Sequence, residues 1–198
     1  MPVGFDNGPT GTAVPERHPM ALFLFSGRVL FFAVFALSTA LKVRNFASFR
    51  RHVATTLTGA GPWASVAARG AVGAEVVAFC SMLLPGSLVW CGFLWVAALL
   101  SAFTAYLIAL LRSGRGSSCG CMGEPDRPAS WPHVVRNSLL TLVAAGLLTC
   151  LLTGGEGTGA RAEELLAGAL PALAAAALVV WFDDVLTFFH APLSEAKR

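Results

Sequence analysis

The sequence predicts an all-α membrane protein, a bundle of four transmembrane helices with a fifth helix added on the C-terminal side. Of its 198 residues, 56% are hydrophobic and only 13% are charged, whereas soluble domains are about one quarter charged. The apolar residues also fall into runs close to the roughly 20 that a helix needs to cross a bilayer. Lipid is therefore the expected surroundings of most of the chain. Because no basic patch is interleaved with aromatic residues, nucleic acid is not expected as a partner.

The helices follow from the apolar runs and from the glycines, prolines and charges between them. The runs predict helices at about 21–41, 67–84, 88–111, 134–152 and 163–182. The composition divides the chain into a disordered N-terminal tail (1–19), a four-helix core (20–153) with a cysteine-bearing loop (113–132), a Gly-rich linker (154–162), a fifth transmembrane helix (163–190) and a polar tail (191–198).

Two of the connections carry further signals. Phe46, Phe49 and Val53 recur at helical spacing among basic residues, which predicts an amphipathic segment lying on the membrane face. In the loop after the third helix, three prolines at 125, 128 and 132 are expected to keep the backbone non-helical.

The basic residues predict the orientation in a cell membrane, because Lys and Arg are enriched in cytoplasmic loops. One face collects Lys42, Arg44, Arg50, Arg51, Arg69, Arg112, Arg115, Arg127, Arg136, Lys197 and Arg198, and the other only Arg17 and Arg161. The bias predicts an N-terminus outside the cell and a cysteine loop at the cytoplasmic face.

The cysteine loop contains the chemistry that stands out in this sequence, Cys119-Gly120-Cys121-Met122-Gly123. Two residues separated by one glycine come close enough for a disulfide, and glycine relieves the strain of so small a ring. A strained bridge passes its oxidation on readily, so the spacing favours a redox pair. Nearby arginines would favour the reactive thiolate.

Other interpretations of the pair stay open. Zinc is not expected, because only His133 is near in sequence and tetrahedral zinc takes four ligands. Two thiolates could hold Cu(I), or the pair could be free thiols in a non-enzymatic membrane scaffold. Cys80, Cys91 and Cys150 are interpreted as packing residues, with an outward dithiol of Cys91 and Cys150 as the alternative.

Arg28 and Glu75 are charged residues inside hydrophobic runs, which are costly there and usually paired or functional. We expect them to meet across the first two helices and fix the bundle. The alternative is a proton or quinone site in a quinone-linked reductase or transporter. His133, at the head of the fourth helix, could shuttle protons to a thiolate.

Several of these residues together resemble the MauE/DoxX family of redox-associated membrane proteins, and the methylamine-utilisation MauE branch in particular. The resemblance rests on Arg28, Lys42, Arg44, Phe46, Phe49, Glu75, the Cys119–Cys121 loop with Gly123, and the pair Arg136-Asn137. It covers about Ala21 to Leu152. Met122 departs from the phenylalanine usual in the family, and the fifth helix lies outside the four-helix pattern.

The resemblance implies a function and a set of site residues. It implies a part in thiol–disulfide exchange beside a thioredoxin-like partner, with Cys119 and Cys121 as the reacting pair. It adds Arg28, Glu75, Lys42, Arg136 and Asn137 as supporting residues, to which the loop itself adds Gly120, Gly123 and His133. No metal is expected, and a quinone is the one cofactor left open.

Overall fold

The computed structural model describes residues 19–56, 63–85, 88–112, 130–153 and 162–181. Within those ranges every element is a helix. The helices, in chain order, are α1 (Pro19–Arg44), α2 (Phe46–Thr56), α3 (Ala64–Ser81), α4 (Val89–Arg112), α5 (Trp131–Leu152) and α6 (Ala162–Val180). The all-helical fold class is confirmed.

Four of these helices, α1, α3, α4 and α5, are long and apolar enough to cross a membrane. The apolar part of α6, Leu166–Val180, is shorter. With 11 residues, α2 extends only about 16 Å and joins two spans without crossing. The fifth span predicted at 163–190 is helical as far as Val180, and residues 182–190 lie outside the described part of the chain. So do the tails at 1–18 and 191–198 and nearly all of the Gly-rich linker.

Two helix boundaries differ from the predicted ones for reasons that involve proline. Helix α3 ends at Ser81 and not near Leu84. Pro85 disfavours a helical conformation of Leu84, and the amides of residues 82–84 donate to carbonyls three residues back. Pro132 was predicted to keep the backbone non-helical, but it lies in the first turn of α5. A proline is tolerated there because the N–H that it lacks has no partner within the helix anyway.

Membrane-spanning helices that follow one another in the chain run antiparallel and pack around an apolar core. Phe32 of α1 meets Phe79 of α3 edge to face, with ring centroids 5.7 Å apart. The Phe31 ring of α1 contacts Phe93 of α4 in the same way at 6.2 Å. The main core cluster consists of Leu24, Phe31, Phe35, Ala78, Met82, Val89, Phe93, Val96, Leu100, Leu140, Ala144 and Leu147.

Helix α6 packs parallel to α1 through small residues. A Cβ added to Gly168 would lie 2.8 Å from Leu22 Cδ1 and 2.8 Å from Ser26 Oγ, so a larger residue would require these two side chains to move. Ala172 and Ala176 follow at four-residue intervals and are buried. Such a stripe of small residues is how membrane helices approach one another closely. Helix α6, the added helix of the sequence prediction, is therefore a packed part of the bundle.

The two ends of the bundle differ in the connections that they carry. At the α4–α5 end, Leu107 of α4 packs against Val134 of α5. This end also contains the last turn of α1, the whole of α2, the first turn of α3 and the last turn of α6. At the α3–α4 end, α3 gives way to α4. The segment that contains Cys119 and Cys121 joins α4 to α5 and therefore leaves and re-enters the described structure at the α4–α5 end.

Candidate functional site

The centre of the candidate site is an ion pair between Lys42 Nζ of α1 and Glu75 Oε1 of α3. Both residues are almost completely buried, with 3% and 1% of their surface exposed. Removing two charges from water is expensive, and only close pairing with further hydrogen bonds repays that expense. The surroundings of the pair meet this requirement.

Two hydroxyl groups complete the hydrogen bonding of the Glu75 carboxylate. Ser38 Oγ lies 3.3 Å from each carboxylate oxygen, and Thr39 Oγ1 donates to Oε2 at 3.3 Å. Lys42 Nζ donates in turn to Ser38 Oγ at 3.1 Å. Ser38 and Lys42 are four residues apart and thus share one face of α1. Their spacing lets a single helix supply both a cation and a hydroxyl to one carboxylate.

Two aromatic rings flank the Lys42 ammonium group. Its nitrogen lies 5.6 Å from the ring centroid of Phe49 in α2 and 5.4 Å from that of Phe103 in α4. At these distances the negative face of a ring attracts a cation. Contacts from α2, α3 and α4 therefore converge on one side chain of α1, and α2 is held over it by Phe49.

A small cavity adjoins the ion pair. Its volume of about 30 Å³ leaves space for one or two water molecules. Its walls are Val34, Phe35, Ser38, Lys42, Glu75, Leu100, Phe103, Arg136, Asn137, Leu140 and Val179. The polar members come from α1, α3 and α5, and the apolar members close the other sides.

Helix α5 contributes its first two turns to this region. Arg136 and Asn137 are buried, with 5% and 6% of their surface exposed. The Arg136 guanidinium donates from Nη1 to the carbonyl oxygen of Val179 in α6 at 3.4 Å. His133 is buried one turn earlier, with Nδ1 2.6 Å from Ser130 Oγ, and is not among the residues that line the cavity.

Arg28 lies elsewhere, and the expectation that it meets Glu75 is wrong. Its Nε donates to the Met82 carbonyl at 2.9 Å and its Nη2 to the Leu84 carbonyl at 2.7 Å, both at the α3–α4 end. Arg28 precedes Ser38 by ten residues, which is about 15 Å along a helix. In an antiparallel pair, Glu75 therefore meets the last turns of α1, where Lys42 stands.

Lys42 was not predicted as the partner of Glu75 because the predicted first helix was too short. The predicted helix stopped at Leu41 and left Lys42 among the loop residues, whereas α1 continues to Arg44. Arg69, also counted in that loop, lies within α3, and Arg136 is buried in α5. The count of basic loop residues therefore included two buried side chains, Lys42 and Arg136.

The predicted redox residues Cys119, Gly120, Cys121 and Gly123 lie outside the described residues. Cys80, Cys91 and Cys150 are free thiols. Within the described ranges, no group of three or more His, Cys, Asp or Glu side chains is placed to hold a metal ion. The structure thus brings together Lys42, Glu75, Arg136 and Asn137 and leaves Arg28 at the other end.

Comparison with known proteins gives one match. The family model described as methylamine utilisation protein MauE matches residues 20–150, a range that contains α2, α3 and α4 entirely and α1 and α5 almost entirely. No curated protein and no solved structure matches the chain. The matched range includes all of the polar residues of the cavity and the Cys119–Cys121 segment.

Proposed function

Since the chain belongs to the MauE family and has four apolar helices that suit a bilayer, we propose that it is a multi-pass membrane thiol–disulfide redox protein. Cys119 and Cys121 are its reacting pair and a thioredoxin-like protein is its partner. The pair acts in disulfide formation or in electron relay across or along the membrane.

The proposed reaction is a thiol–disulfide exchange. One thiolate of the reduced pair attacks a sulfur of the partner's disulfide and forms a mixed disulfide. The second cysteine then attacks the mixed disulfide and releases the partner as a dithiol. Two electrons pass from the chain to the partner, two protons accompany them, and a Cys119–Cys121 disulfide remains. The reverse sequence reduces the chain.

One observation carries this proposal: four of the residues on which the family resemblance rests converge on one small cavity. Lys42 comes from α1, Glu75 from α3, and Arg136 and Asn137 from α5. The cavity lies towards the α4–α5 end, to which the cysteine segment is attached on both sides. Separated by up to 95 positions in the sequence, these residues gain a common location only through the fold.

The proposed role of the cavity residues is to hold the helix ends that support the cysteine segment in fixed positions. The Lys42–Glu75 pair fixes the last turns of α1 against α3. Arg136 ties the start of α5 to Val179 of α6, and Asn137 lines the cavity beside it. Gly120 supplies the backbone freedom that the Cys119–Cys121 ring needs, and Gly123 supplies it just after the ring. His133 is proposed as a nearby proton acceptor.

A quinone is disfavoured by the size of the cavity. Ligand sites for organic molecules usually measure about 300–1,000 Å³, whereas this cavity holds one or two water molecules. Cu(I) binding and a purely structural role are distinguished from redox exchange by the experiment below. The proposed orientation, with the cysteine segment at the cytoplasmic face, is supported by the exposed Arg44, Arg50, Arg51 and Arg112 at that end.

The test is a redox titration of the pair in membranes. Vesicles are equilibrated at a series of glutathione ratios, and thiols are trapped with a membrane-impermeant alkylating reagent from one side at a time. We expect a reversible two-electron transition that disappears in Cys119→Ser and Cys121→Ser. It should persist in Cys80→Ser, which removes an exposed thiol of α3. Labelling of the pair from one side only identifies its face.

Two results would contradict the proposal. A pair that stays reduced over the whole range has no redox role. If it then binds Cu(I) stoichiometrically, metal handling replaces exchange. A chain that supports its partner's function equally well with both cysteines changed to serine is a scaffold.

A further inference from the structure

The α4–α5 end carries a basic surface, which is defined here by Arg44 at the end of α1, Arg50 and Arg51 on α2, and Arg112 at the end of α4. All four side chains are exposed. The acidic side chain that the structure describes, Glu75, is buried with Lys42 and does not reach this surface. Among the described side chains, this surface is therefore uniformly positive.

Helix α2 presents its arginines away from the bundle. Phe49 and His52 are buried with 8% and 9% of their surface exposed, and Val53 completes the same face at the spacing i, i+3, i+4. Arg50 and Arg51 lie on the remaining, exposed part of the helix. Since α2 is too short to cross a bilayer and connects two helices that do, its exposed face lies beside the end of the apolar zone.

Tryptophan residues give an independent measure of where that zone ends. Trp63 precedes α3, Trp131 begins α5 and Trp181 follows α6, and 69%, 60% and 53% of their surfaces are exposed. All three stand at helix termini at the α4–α5 end. Tryptophan is enriched at the level of the lipid headgroups. Arg44 and Arg112 stand at helix termini of the same end, and Arg50 and Arg51 lie on α2 at that end. The basic surface therefore lies at headgroup level.

We propose that the basic surface binds the headgroups of anionic phospholipids. A guanidinium group forms two parallel hydrogen bonds with a phosphate. In an anionic phospholipid, no positive group of the headgroup offsets the negative charge of the phosphate, so that charge is available to the arginines. The level of the tryptophans favours lipid over an acidic protein, because it places the arginines in the plane of the bilayer surface. The proposal does not depend on the redox function.

The test compares lipid selectivity in reconstituted full-length protein. Spin-labelled phosphatidylglycerol and phosphatidylcholine are introduced in turn into phosphatidylcholine bilayers, and the motionally restricted fraction of each label is measured. We expect a preference for phosphatidylglycerol that weakens in high salt, since exposed charges are screened. The variant Arg44→Gln/Arg50→Gln/Arg51→Gln should lose most of this preference. Each arginine removed should lower the preference for phosphatidylglycerol by at most roughly fivefold.

Two control variants separate charge from folding. Ala47→Gln/Ala54→Gln changes exposed positions of the same helix and should keep the wild-type preference. Arg44→Lys/Arg50→Lys/Arg51→Lys keeps the charge and should fall between the wild type and the glutamine variant. A glutamine variant with unchanged preference, or an alanine-site control that loses as much, overturns the proposal. Wild-type protein without any preference also overturns it and leaves an acidic protein as the partner for these charges.

Discussion

Arg28 and Lys42 are two cations of the same helix, and each is satisfied by α3 in a different way. Arg28 is half-buried and donates to the main-chain carbonyls of Met82 and Leu84. Lys42 is buried and pairs with the side chain of Glu75. The first contact caps the end of a helix, where carbonyl groups lack partners within the helix. The Lys42–Glu75 contact places two opposite charges in the interior, next to a cavity.

The difference shows that a charge within an apolar helix does not by itself indicate a functional site. A main-chain carbonyl is present whatever residue occupies the position, so Arg28 needs only the helix end. The Lys42–Glu75 pair needs two particular side chains, two hydroxyl groups and two aromatic rings. So many specific requirements are characteristic of a prearranged site, whereas the Arg28 contact is that of a structural clamp.

Removal of Glu75 should have the largest effect. Glu75→Leu leaves the Lys42 ammonium buried without its carboxylate, and breaking a buried pair in this way costs about 3–5 kcal/mol. The free energy of unfolding in detergent measures the loss. The double variant Lys42→Met/Glu75→Leu removes both charges and should recover most of it. A double variant as unstable as the single one would show that the pair itself does not account for the loss.

Removal of Arg28 should have a smaller effect. Arg28→Met deletes two charge-assisted hydrogen bonds, but the carbonyls lie at the end of α3, where water can replace the donor. We expect a loss of roughly 1.5–3 kcal/mol and an unchanged rate of thiol exchange in the folded protein. Arg28→Lys should be intermediate, because an ammonium group cannot span both carbonyls as a guanidinium does. Slower exchange in well-folded Arg28→Met would place this residue in the site after all.

The packing next to Arg28 should tolerate enlargement poorly. A Cβ at Gly27 would overlap the buried side chain of Leu147, so Gly27→Val overpacks the core by about 1–3 kcal/mol. Gly70→Val is the matched control, because no atom lies within 4 Å of a Cβ built there. Thermal unfolding of both variants compares them directly. Equal unfolding temperatures would mean that Leu147 moves aside freely.

The smallest expected effect is a pH dependence of stability that arises from His52, at the α4–α5 end. Burial lowers the pKa of His52 on α2 below its ordinary value of 6.5. The unfolded chain therefore binds a proton more readily than the native one, so the contribution of neutral His52 is complete above pH 6.5 and declines as the pH falls towards the lowered pKa. His52→Gln should reduce the drop in unfolding temperature between pH 7.5 and 5.5. An identical drop in both proteins would assign it to other groups.

The sequence was sufficient for the fold class and the approximate helices, because apolar runs of membrane length leave few alternatives. It was also sufficient to single out Glu75, Arg136 and Asn137. It was not sufficient for the pairing of Glu75. The choice between Arg28 and Lys42 depends on where α1 ends and how far α3 is shifted along it, and helix termini are what periodicity determines least well.

Two further features were beyond a reading of the sequence. The convergence of Phe49 and Phe103 on Lys42 requires contacts between α2, α4 and α1, which no local pattern encodes. The first turn of α5 was missed because proline was treated as a helix breaker, although at the start of a helix it is tolerated. In both cases a rule about single residues was overruled by position in three dimensions.

The contact between Arg136 and Val179 has a consequence for how this protein is compared with its family. Val179 belongs to α6, which lies beyond the matched range of 20–150, yet it forms part of the cavity wall. The cavity thus combines a lining from the matched range with a wall from a helix beyond it. A change confined to α6 can therefore alter the wall of the cavity while every residue of the matched range stays the same.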